Sequence, residues 1–216
     1  MTIYIIPGKG YDSNIFLIDG KEPTIIDTGT GLNTKLVSKE ILSYIDPENI
    51  TQIIFTHEHF DHTGGSKDLL ELTHNRAKIL AHPYSKEKVE EGKSMFASML
   101  GGTMPKISVD KSLNGGDQLI IGDNAYEVIH TPGHTPGCIC LYDKNTKTLF
   151  SGDTVFSHGS FGRTDFPGGS LSQLQHSIKA LSNLHITNLY PGHESIIEGE
   201  ANNHIALSYQ NVCSLG

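Results

Sequence analysis

The sequence predicts an α/β fold in which two packed β-sheets are covered by α-helices on both outer faces. Short apolar and β-branched runs form two strand-rich segments, and each is followed by patterns typical of amphipathic helices. The chain has 216 residues, of which 37% are hydrophobic. Because single α/β units commonly reach about 200–250 residues, this length suits one domain with a sizeable core. We therefore predict a single domain over residues 1–216, without a linker or a repeat.

The first half of the chain alternates predicted strands with predicted helices. The run Gln52-Ile53-Ile54-Phe55-Thr56 is short, apolar and flanked by polar residues, which is typical of a buried strand. Residues 95–110 contain a Gly-Gly pair and a proline, and they are predicted to form an irregular loop. In it, Phe96 and Leu100 form either an apolar lid or the edge of the core, and packing is the favoured alternative. The predicted strands are 3–6, 14–18, 24–27 and 52–56, and the predicted helices are 33–45, 66–73 and 85–93.

The second half has several strands in succession before its helices. Alternating apolar residues indicate the strands, and turns rich in glycine and proline separate them. Apolar residues at helical spacing indicate two helices. The predicted strands are 118–121, 126–130, 138–142, 148–151 and 188–190, and the predicted helices are 170–184 and 201–212.

The charge, hydropathy and cysteine content of the chain argue against several classes of protein. The chain has 16 Lys and Arg against 24 Asp and Glu, a net charge of −8, whereas nucleic-acid-binding domains normally have a basic surface. No run approaches the roughly 18 apolar residues of a membrane helix, and the N-terminus lacks the features of a signal peptide. With 3 cysteines, a disulfide framework is not expected. We predict a cytoplasmic protein without nucleic-acid or membrane partners, and the oligomeric state stays open.

Four candidate metal ligands follow the buried strand at 52–56. They are His57, His59, Asp61 and His62, and the Gly64-Gly65 pair lets the backbone turn before the next predicted helix. Imidazole nitrogens and carboxylate oxygens together suit zinc, iron or manganese. A single histidine beside a strand usually has a structural role only. Three histidines and an aspartate at this spacing predict a metal site.

Three further motifs follow predicted strands and supply more candidate ligands. His134 lies in the turn at residues 131–137, which is rich in glycine and proline, and Asp153 follows the strand at 148–151. His193 lies in a second Pro-Gly-His turn. Each motif alone is more often structural. Their order and their common position after strands indicate one ligand set.

Together with Asp27-Thr28-Gly29, these motifs resemble the metallo-β-lactamase superfamily from Asp27 to His193. Residues 131–137 and 162–169 resemble those of glyoxalase II-like (hydroxyacylglutathione hydrolase-like) hydrolases. The resemblance implies the metallo-β-lactamase fold, a four-layer αββα sandwich, with two divalent metal ions at one edge. Zinc is the first choice of metal, with iron or manganese as alternatives. The resemblance implies that the first ion binds to His57, His59 and His134, that the second binds to Asp61, His62 and His193, and that Asp153 bridges both.

The same positions separate the branches of this superfamily. Many true β-lactamases replace the residues equivalent to Asp153 and His62, whereas this chain keeps the hydrolase pattern, so antibiotic hydrolysis is not expected. His59 differs from the glutamate of the di-iron flavoprotein relatives. The chain also lacks a basic patch and an insertion like the RNA-binding arm of the tRNA-processing relatives. These differences favour the glyoxalase II-like branch.

The ligand set predicts a metal-dependent hydrolase of thioesters or related esters. Two cations can share and activate one water, and we expect the bridging hydroxide to attack the carbonyl carbon, with Asp61 and Asp153 as catalytic carboxylates. A thiolate leaving group, with a pKa of about 8.5, needs little help from an acid. An alternative on the same fold is an iron-dependent persulfide dioxygenase, which would use one metal ion on His57, His134 and Asp153. The third alternative is a metal-binding module without catalysis.

Two residues outside the ligand set are candidates for further roles. Asp27 either orients a ligand histidine through its second ring nitrogen or forms an Asx turn before Gly29. Arg163 either binds a carboxylate of the small-molecule thioester or ester substrate, or pairs locally with Asp165. The residues after His193 contain no lysine or arginine. Glyoxalase II has a C-terminal helical domain that supplies basic contacts to glutathione, whereas 23 residues follow His193 here. We therefore expect no separate C-terminal glutathione-binding domain, and we favour a thiol carrier other than glutathione.

Overall fold

The computed structural model describes residues 2–215. They divide into two compact units, each with a β-sheet and helices. The first unit comprises the chain up to Leu113 together with Ile120–Ala125, and the second comprises Asn114–Leu119 and the chain from Tyr126 onward. Both units combine strands with helices, as the α/β prediction requires. The prediction of one domain over residues 1–216 stays a prediction.

A mixed six-stranded sheet forms the first unit, with its strands in sequence order. The strands are β1 (Thr2–Ile6), β2 (Ile15–Asp19), β3 (Thr24–Ile26), β4 (Gln52–Ile54), β5 (Lys78–Ala81) and β6 (Lys111–Ser112). The helices are α1 (Thr34–Tyr44), α2 (Phe60–Thr63), α3 (Ser66–Leu72), α4 (Pro83–Glu91) and α5 (Met95–Met99), with a 3-10 helix at Pro47–Asn49. β1, β2 and β3 are antiparallel, whereas β3 to β6 run parallel. The carboxyl ends of β3, β4 and β5 therefore lie at one edge of the sheet.

Helices α1 and α3 help to form the core of the first unit. Ile25 and Ile53 on neighbouring strands, Val37 and Ile41 on α1, and Leu69 on α3 belong to one buried apolar cluster. The four-residue spacing of the two α1 side chains places them on one helix face. Their burial supplies hydrophobic free energy that holds the strand ends in place.

The second unit contains most of a five-stranded sheet with the order β11-β10-β9-β8-β7, in which Ile120–Ala125 belong to the first unit. The strands are β7 (Gln118–Ile121), β8 (Asn124–His130), β9 (Ile139–Asp143), β10 (Thr148–Gly152) and β11 (Asn188–Pro191). The helices are α6 (Leu171–Ser182) and α7 (Ala201–Cys213), with a 3-10 helix at Ser157–Gly159. β9 is antiparallel to both β8 and β10, and β10 is parallel to β11. β8, β10 and β11 thus run in one direction and end at the same edge.

Helices α6 and α7 contribute to the core of the second unit. Leu174, Ile178 and Leu181 form an apolar stripe along α6 and belong to the same buried cluster as Leu149 of β10 and Ile205 of α7. With 13 residues, α7 is the longest helix of this unit. Across residues 2–215, every helix is too short or too polar to cross a membrane.

The predicted strands and helices are present within two residues of their expected ends, but the two 3-10 helices and four short strands and α-helices were missed. The four short strands and α-helices are β5, β6, α2 and α5. β5 has 4 residues and is held by parallel pairing with β4. The irregular loop predicted for residues 95–110 is wrong at its start, where α5 lies. The Ser94 side chain accepts hydrogen bonds from the backbone N–H groups of Phe96 and Ala97 and so begins this helix.

Candidate metal centre

The first cluster of candidate ligands lies beyond the carboxyl end of β4. His57 and His59 lie on the connection after the strand, and Asp61 and His62 lie on the single turn of α2. The His57 ring is 4.8 Å from the His59 ring and 4.1 Å from the His62 ring, measured between centroids. Asp61 Oδ2 lies 3.8 Å from His62 Nε2. The four side chains predicted from this motif are therefore neighbours in the first unit.

The segment after β3 holds this cluster through backbone hydrogen bonds. The N–H and hydroxyl groups of Thr28 donate to the carbonyl oxygen of His62, at 2.7 Å and 2.9 Å. The N–H of Gly65 donates to the carbonyl of Gly29 at 3.0 Å. A Cβ at Gly65 would overlap the carbonyl oxygen of Thr28, so the close approach requires glycine. Because β3 and β4 are parallel neighbours, these segments leave the sheet side by side.

Asp27 directly contacts one of the candidate ligands. The side chain is only 1% exposed, and its oxygens accept hydrogen bonds from Thr56 N–H at 2.8 Å, Thr56 Oγ1 at 2.7 Å and His62 Nδ1 at 2.8 Å. A carboxylate only accepts, so Nδ1 of His62 carries the proton and Nε2 keeps its lone pair. This contact has the geometry expected of a residue that orients a ligand histidine, rather than that of an Asx turn. The backbone of Asp27 is left-handed, with φ of 59°.

The second cluster lies where three strands of the second unit end. His134, Asp153 and His193 follow β8, β10 and β11, whose carboxyl ends share one edge. Asp153 Oδ2 lies 3.6 Å from His134 Nε2 and 3.7 Å from His193 Nε2. Asp153 is 7% exposed and His134 is 4% exposed, whereas His193 is half-buried. One carboxylate oxygen thus lies within 4 Å of an imidazole nitrogen of each histidine.

The orientation of His134 depends on the loop that contains Gly162. The backbone carbonyl of Arg163 accepts a hydrogen bond from His134 Nδ1 at 2.6 Å, which leaves the lone pair on Nε2, the nitrogen nearer Asp153. A Cβ at Gly162 would overlap the carbonyl oxygen of Asp153 and approach His134 Cγ to 2.9 Å. Glycine at this position therefore permits both ligands to pack against the loop.

The donors in each unit fit a divalent metal ion. A tetrahedral zinc site with bonds of about 2.0–2.2 Å separates its ligand atoms by about 3.4 Å. The three nitrogen–oxygen distances within the clusters are 3.6, 3.7 and 3.8 Å, which are close to this spacing. Imidazole and carboxylate donors suit zinc, iron and manganese. The tautomers of His62 and His134 present lone pairs, as metal ligation requires.

Arg163 forms the local pair that the sequence offered as an alternative. Its guanidinium donates to both carboxylate oxygens of Asp165, at 2.9 Å and 2.6 Å, and lies 4.4 Å from the centre of the Phe166 ring. These hydrogen bonds lower the pKa of the Asp165 carboxyl. Both side chains are exposed, so a substrate carboxylate would compete with Asp165 for the guanidinium. The role of Arg163 in substrate binding stays a prediction.

Two contacts of the first cluster were not predicted. Glu58, which lies between His57 and His59, accepts a hydrogen bond from Ser85 Oγ of α4 at 2.8 Å. The ring of Phe96 on α5 lies 5.5 Å from the His59 ring in an edge-on arrangement. Leu100 packs against the core, as the favoured alternative required. The Ser94 cap, two residues before Phe96, was the available signal for this helix.

We expect Gly162→Ala to weaken metal binding by about tenfold, because the new Cβ would lie 2.0 Å from the carbonyl oxygen of Asp153 and 2.9 Å from His134 Cγ, so the backbone of Asp153 must move by about 1 Å or more. Overpacking should also destabilise the protein by about 1–3 kcal/mol. Metal affinity by chelator competition and urea unfolding measure the two effects. Gly115→Ala is the matched control in the same unit, since its nearest contact is His130 Cβ at 3.2 Å. Equal metal affinity in the two variants would contradict the expectation.

Three proteins of similar sequence are named as hydrolases or thioesterases. A protein named probable metallo-hydrolase from Methanocaldococcus jannaschii is 35% identical over 208 residues, which cover 94% of this chain and 95% of that protein. A hydroxyacylglutathione hydrolase from Haemophilus influenzae is 32% identical over 203 residues, covering 91% and 88%. An acyl-coenzyme A thioesterase from Homo sapiens is 33% identical over 167 residues, covering 68% and 60%.

Solved structures and a family model agree on the fold. The crystal structure of the B3 metallo-β-lactamase BLEG-1 has a TM-score of 0.77 and 28% identity, covering 90% of this chain and 93% of that chain. The di-iron-bound form of TTHA1623 has a TM-score of 0.75 and 28% identity, covering 96% of each chain. The family model of the metallo-β-lactamase superfamily matches residues 8–193. The predicted fold class and the resemblance are confirmed: the chain belongs to the metallo-β-lactamase superfamily.

Proposed function

We propose that this protein is a dinuclear metal-dependent hydrolase of thioesters. The observation that carries the proposal is that Asp153 Oδ2 lies 3.6 Å from His134 Nε2 and 3.7 Å from His193 Nε2, in a chain of this superfamily. A carboxylate oxygen close to two ligand nitrogens suits a residue that binds two cations. The names of two relatives, a hydroxyacylglutathione hydrolase and an acyl-coenzyme A thioesterase, both describe cleavage of an acyl group from a thiol. They support a thioester as the substrate class.

The proposed metal ligands are those that the superfamily resemblance implies. Zinc is the first candidate, and iron or manganese would suit the same donors. When bound, two such cations supply Lewis acidity and, for zinc, lower the pKa of bound water to about 7. The assignment follows the superfamily pattern: His57, His59 and His134 for the first ion, Asp61, His62 and His193 for the second, and Asp153 for both.

The protein's own groups prepare this site in three ways. Asp27 and the carbonyl of Arg163 hold the protons of His62 and His134 on Nδ1, so that the opposite nitrogens are ready to bind. Asp61 and Asp153 supply negative charge that offsets the charge of the cations. The buried surroundings of Asp153 strengthen these electrostatic interactions, because water screens them less.

A thioester fits the chemistry of these groups better than an oxygen ester. A thiol leaves as a thiolate with a pKa of about 8.5 and needs little protonation, whereas an alkoxide requires a general acid. The carboxylates of the two clusters are assigned as metal ligands, so they are poor general acids. The thiol that carries the acyl group is not specified by this chemistry. The Arg163 guanidinium, which pairs with Asp165, is one candidate contact for a carboxylate of that carrier.

Metal analysis with parallel assays tests the proposal. Purified protein should contain two metal ions per chain and hydrolyse lactoylglutathione or acyl-coenzyme A thioesters. A chelator should abolish this activity, and added Zn²⁺ should restore it. A β-lactam substrate serves as the control that should not turn over.

Three results would contradict the proposal. One iron per chain with persulfide-dependent oxygen uptake would favour the dioxygenase, with His57, His134 and Asp153 as its ligands. Two bound metal ions without hydrolysis of any thioester would favour a binding module. Turnover of the β-lactam in place of thioesters would assign a different substrate class.

A further inference from the structure

A buried triad of two hydroxyls and one thiol lies beneath the second cluster. Thr131 Oγ1 and Thr154 Oγ1 are 2.8 Å apart, and Cys140 Sγ is 3.4 Å from the first and 3.5 Å from the second. All three side chains have 0% exposure. Burial raises the pKa of the Cys140 thiol to about 11, so the thiol keeps its proton at neutral pH. Three donors and three acceptors can then close one ring of hydrogen bonds.

The triad joins the strand ends from which two candidate ligands emerge. Thr131 directly follows β8 and precedes His134 by three residues, while Thr154 directly follows Asp153. Cys140 lies on β9, the strand between β8 and β10. The Thr131–Thr154 hydrogen bond therefore spans β9 and links the two ligand loops directly.

The backbone groups of the two threonines have other partners. Thr131 N–H donates to the carbonyl of Cys138 at 2.9 Å, and Thr154 N–H donates to that of Ser151 at 3.1 Å. The hydroxyls are thus left to bond to each other and to Cys140. Apolar side chains of the same size could fill this buried space without any need for partners, so hydrophobic burial alone does not account for the polar triad.

We propose that Thr131, Thr154 and Cys140 are positioning residues that set the location of His134 relative to Asp153. The inference rests on the proposed function, in which both residues bind metal. A fully satisfied buried network is rigid, and metal ligands need positions accurate to about 0.5 Å. The triad supplies that accuracy through side chains that touch neither metal nor substrate.

Co²⁺ binding to metal-free full-length variants tests the proposal. Thr154→Val removes the hydroxyl at nearly constant volume, and Thr154→Ser keeps it. Thr148→Val is the matched control, because Thr148 is buried at the other end of β10 and its hydroxyl is hydrogen-bonded to Thr146 and Asn188. We expect Thr154→Val to weaken Co²⁺ binding by about tenfold and to change the visible spectrum of bound Co²⁺. Thr154→Ser should restore both, and Thr148→Val should change neither.

The outcomes separate this inference from the proposed function. Wild-type affinity and spectrum in Thr154→Val would overturn the triad, while two Co²⁺ ions per wild-type chain would still support the dinuclear site. An equal loss of affinity in Thr154→Val and Thr148→Val would also overturn it, because a general loss of stability would then explain the effect. Wild-type protein that binds no Co²⁺ would overturn both proposals. Should Thr154→Val fail to fold, Thr131→Val provides the same comparison from the other loop.

Discussion

Asp153→Ala is expected to abolish thioester hydrolysis and to lower the metal content of the purified protein. Asp153 Oδ2 lies 3.6 Å from His134 Nε2 and 3.7 Å from His193 Nε2, and the proposed site uses this carboxylate for both metal ions. Its loss removes one ligand from each ion and one negative charge from a buried position. Metal ions contribute several kcal/mol to such reactions, so kcat/KM should fall by about 10³-fold or more. Steady-state kinetics and metal analysis measure the two effects.

A second buried aspartate of the same unit supplies the control. Asp143 has 0% exposure, and its oxygens accept hydrogen bonds from Asn145 N–H at 2.8 Å and Thr146 Oγ1 at 2.7 Å. Asp143→Ala should destabilise the protein by about 1–3 kcal/mol, because it leaves these donors without an acceptor, but metal content should be unchanged. Normal turnover in Asp153→Ala, or equal loss of metal in both variants, would contradict the assignment of Asp153.

The ligands of the first cluster could be predicted because all four lie within one short sequence motif. His57 and His59 follow a recognisable buried strand, and the adjacent glycines indicate the turn after them. The motifs around Asp153 and His193 are weaker alone, yet both follow strands. The parallel pairing of β10 with β11 explains why that common position was informative, since parallel strands end at the same edge.

Other features of the two clusters depend on tertiary structure and could not be predicted. The carbonyl that fixes the tautomer of His134 belongs to Arg163, and any residue type offers a carbonyl. The Thr131–Thr154 contact joins two loops that have β9 and β10 between them in the sequence. Threonine is also common in and beside strands because of its β-branched side chain, so its presence there predicts no particular contact. These contacts depend on the path of the backbone, which no local pattern specifies.

Asp27 is the residue that the sequence offered as one that orients a ligand histidine. Its replacement by alanine and by asparagine should separate its effect on stability from its effect on metal affinity. Asp27→Ala leaves Thr56 N–H and His62 Nδ1 without an acceptor, at a cost of about 1–3 kcal/mol. The alanine also occupies a left-handed backbone position, which costs about 1–2 kcal/mol more. We therefore expect an unfolding free energy lower by about 2–5 kcal/mol, together with metal affinity lower by about 10–100-fold. Urea unfolding and chelator competition measure these changes.

Asp27→Asn should keep most of the stability and still lose metal affinity. Asparagine tolerates the left-handed backbone, and its carbonyl oxygen can still accept from Thr56 N–H. Its amide nitrogen would replace the oxygen that faces His62 Nδ1 and, as a donor, would favour the tautomer with the proton on Nε2. That tautomer cannot bind a metal ion through Nε2, so affinity should fall by about 10–100-fold. If instead Asp27→Asn bound metal as the wild type does, or lost affinity only in proportion to stability, Asp27 would be a structural residue and not one that orients His62.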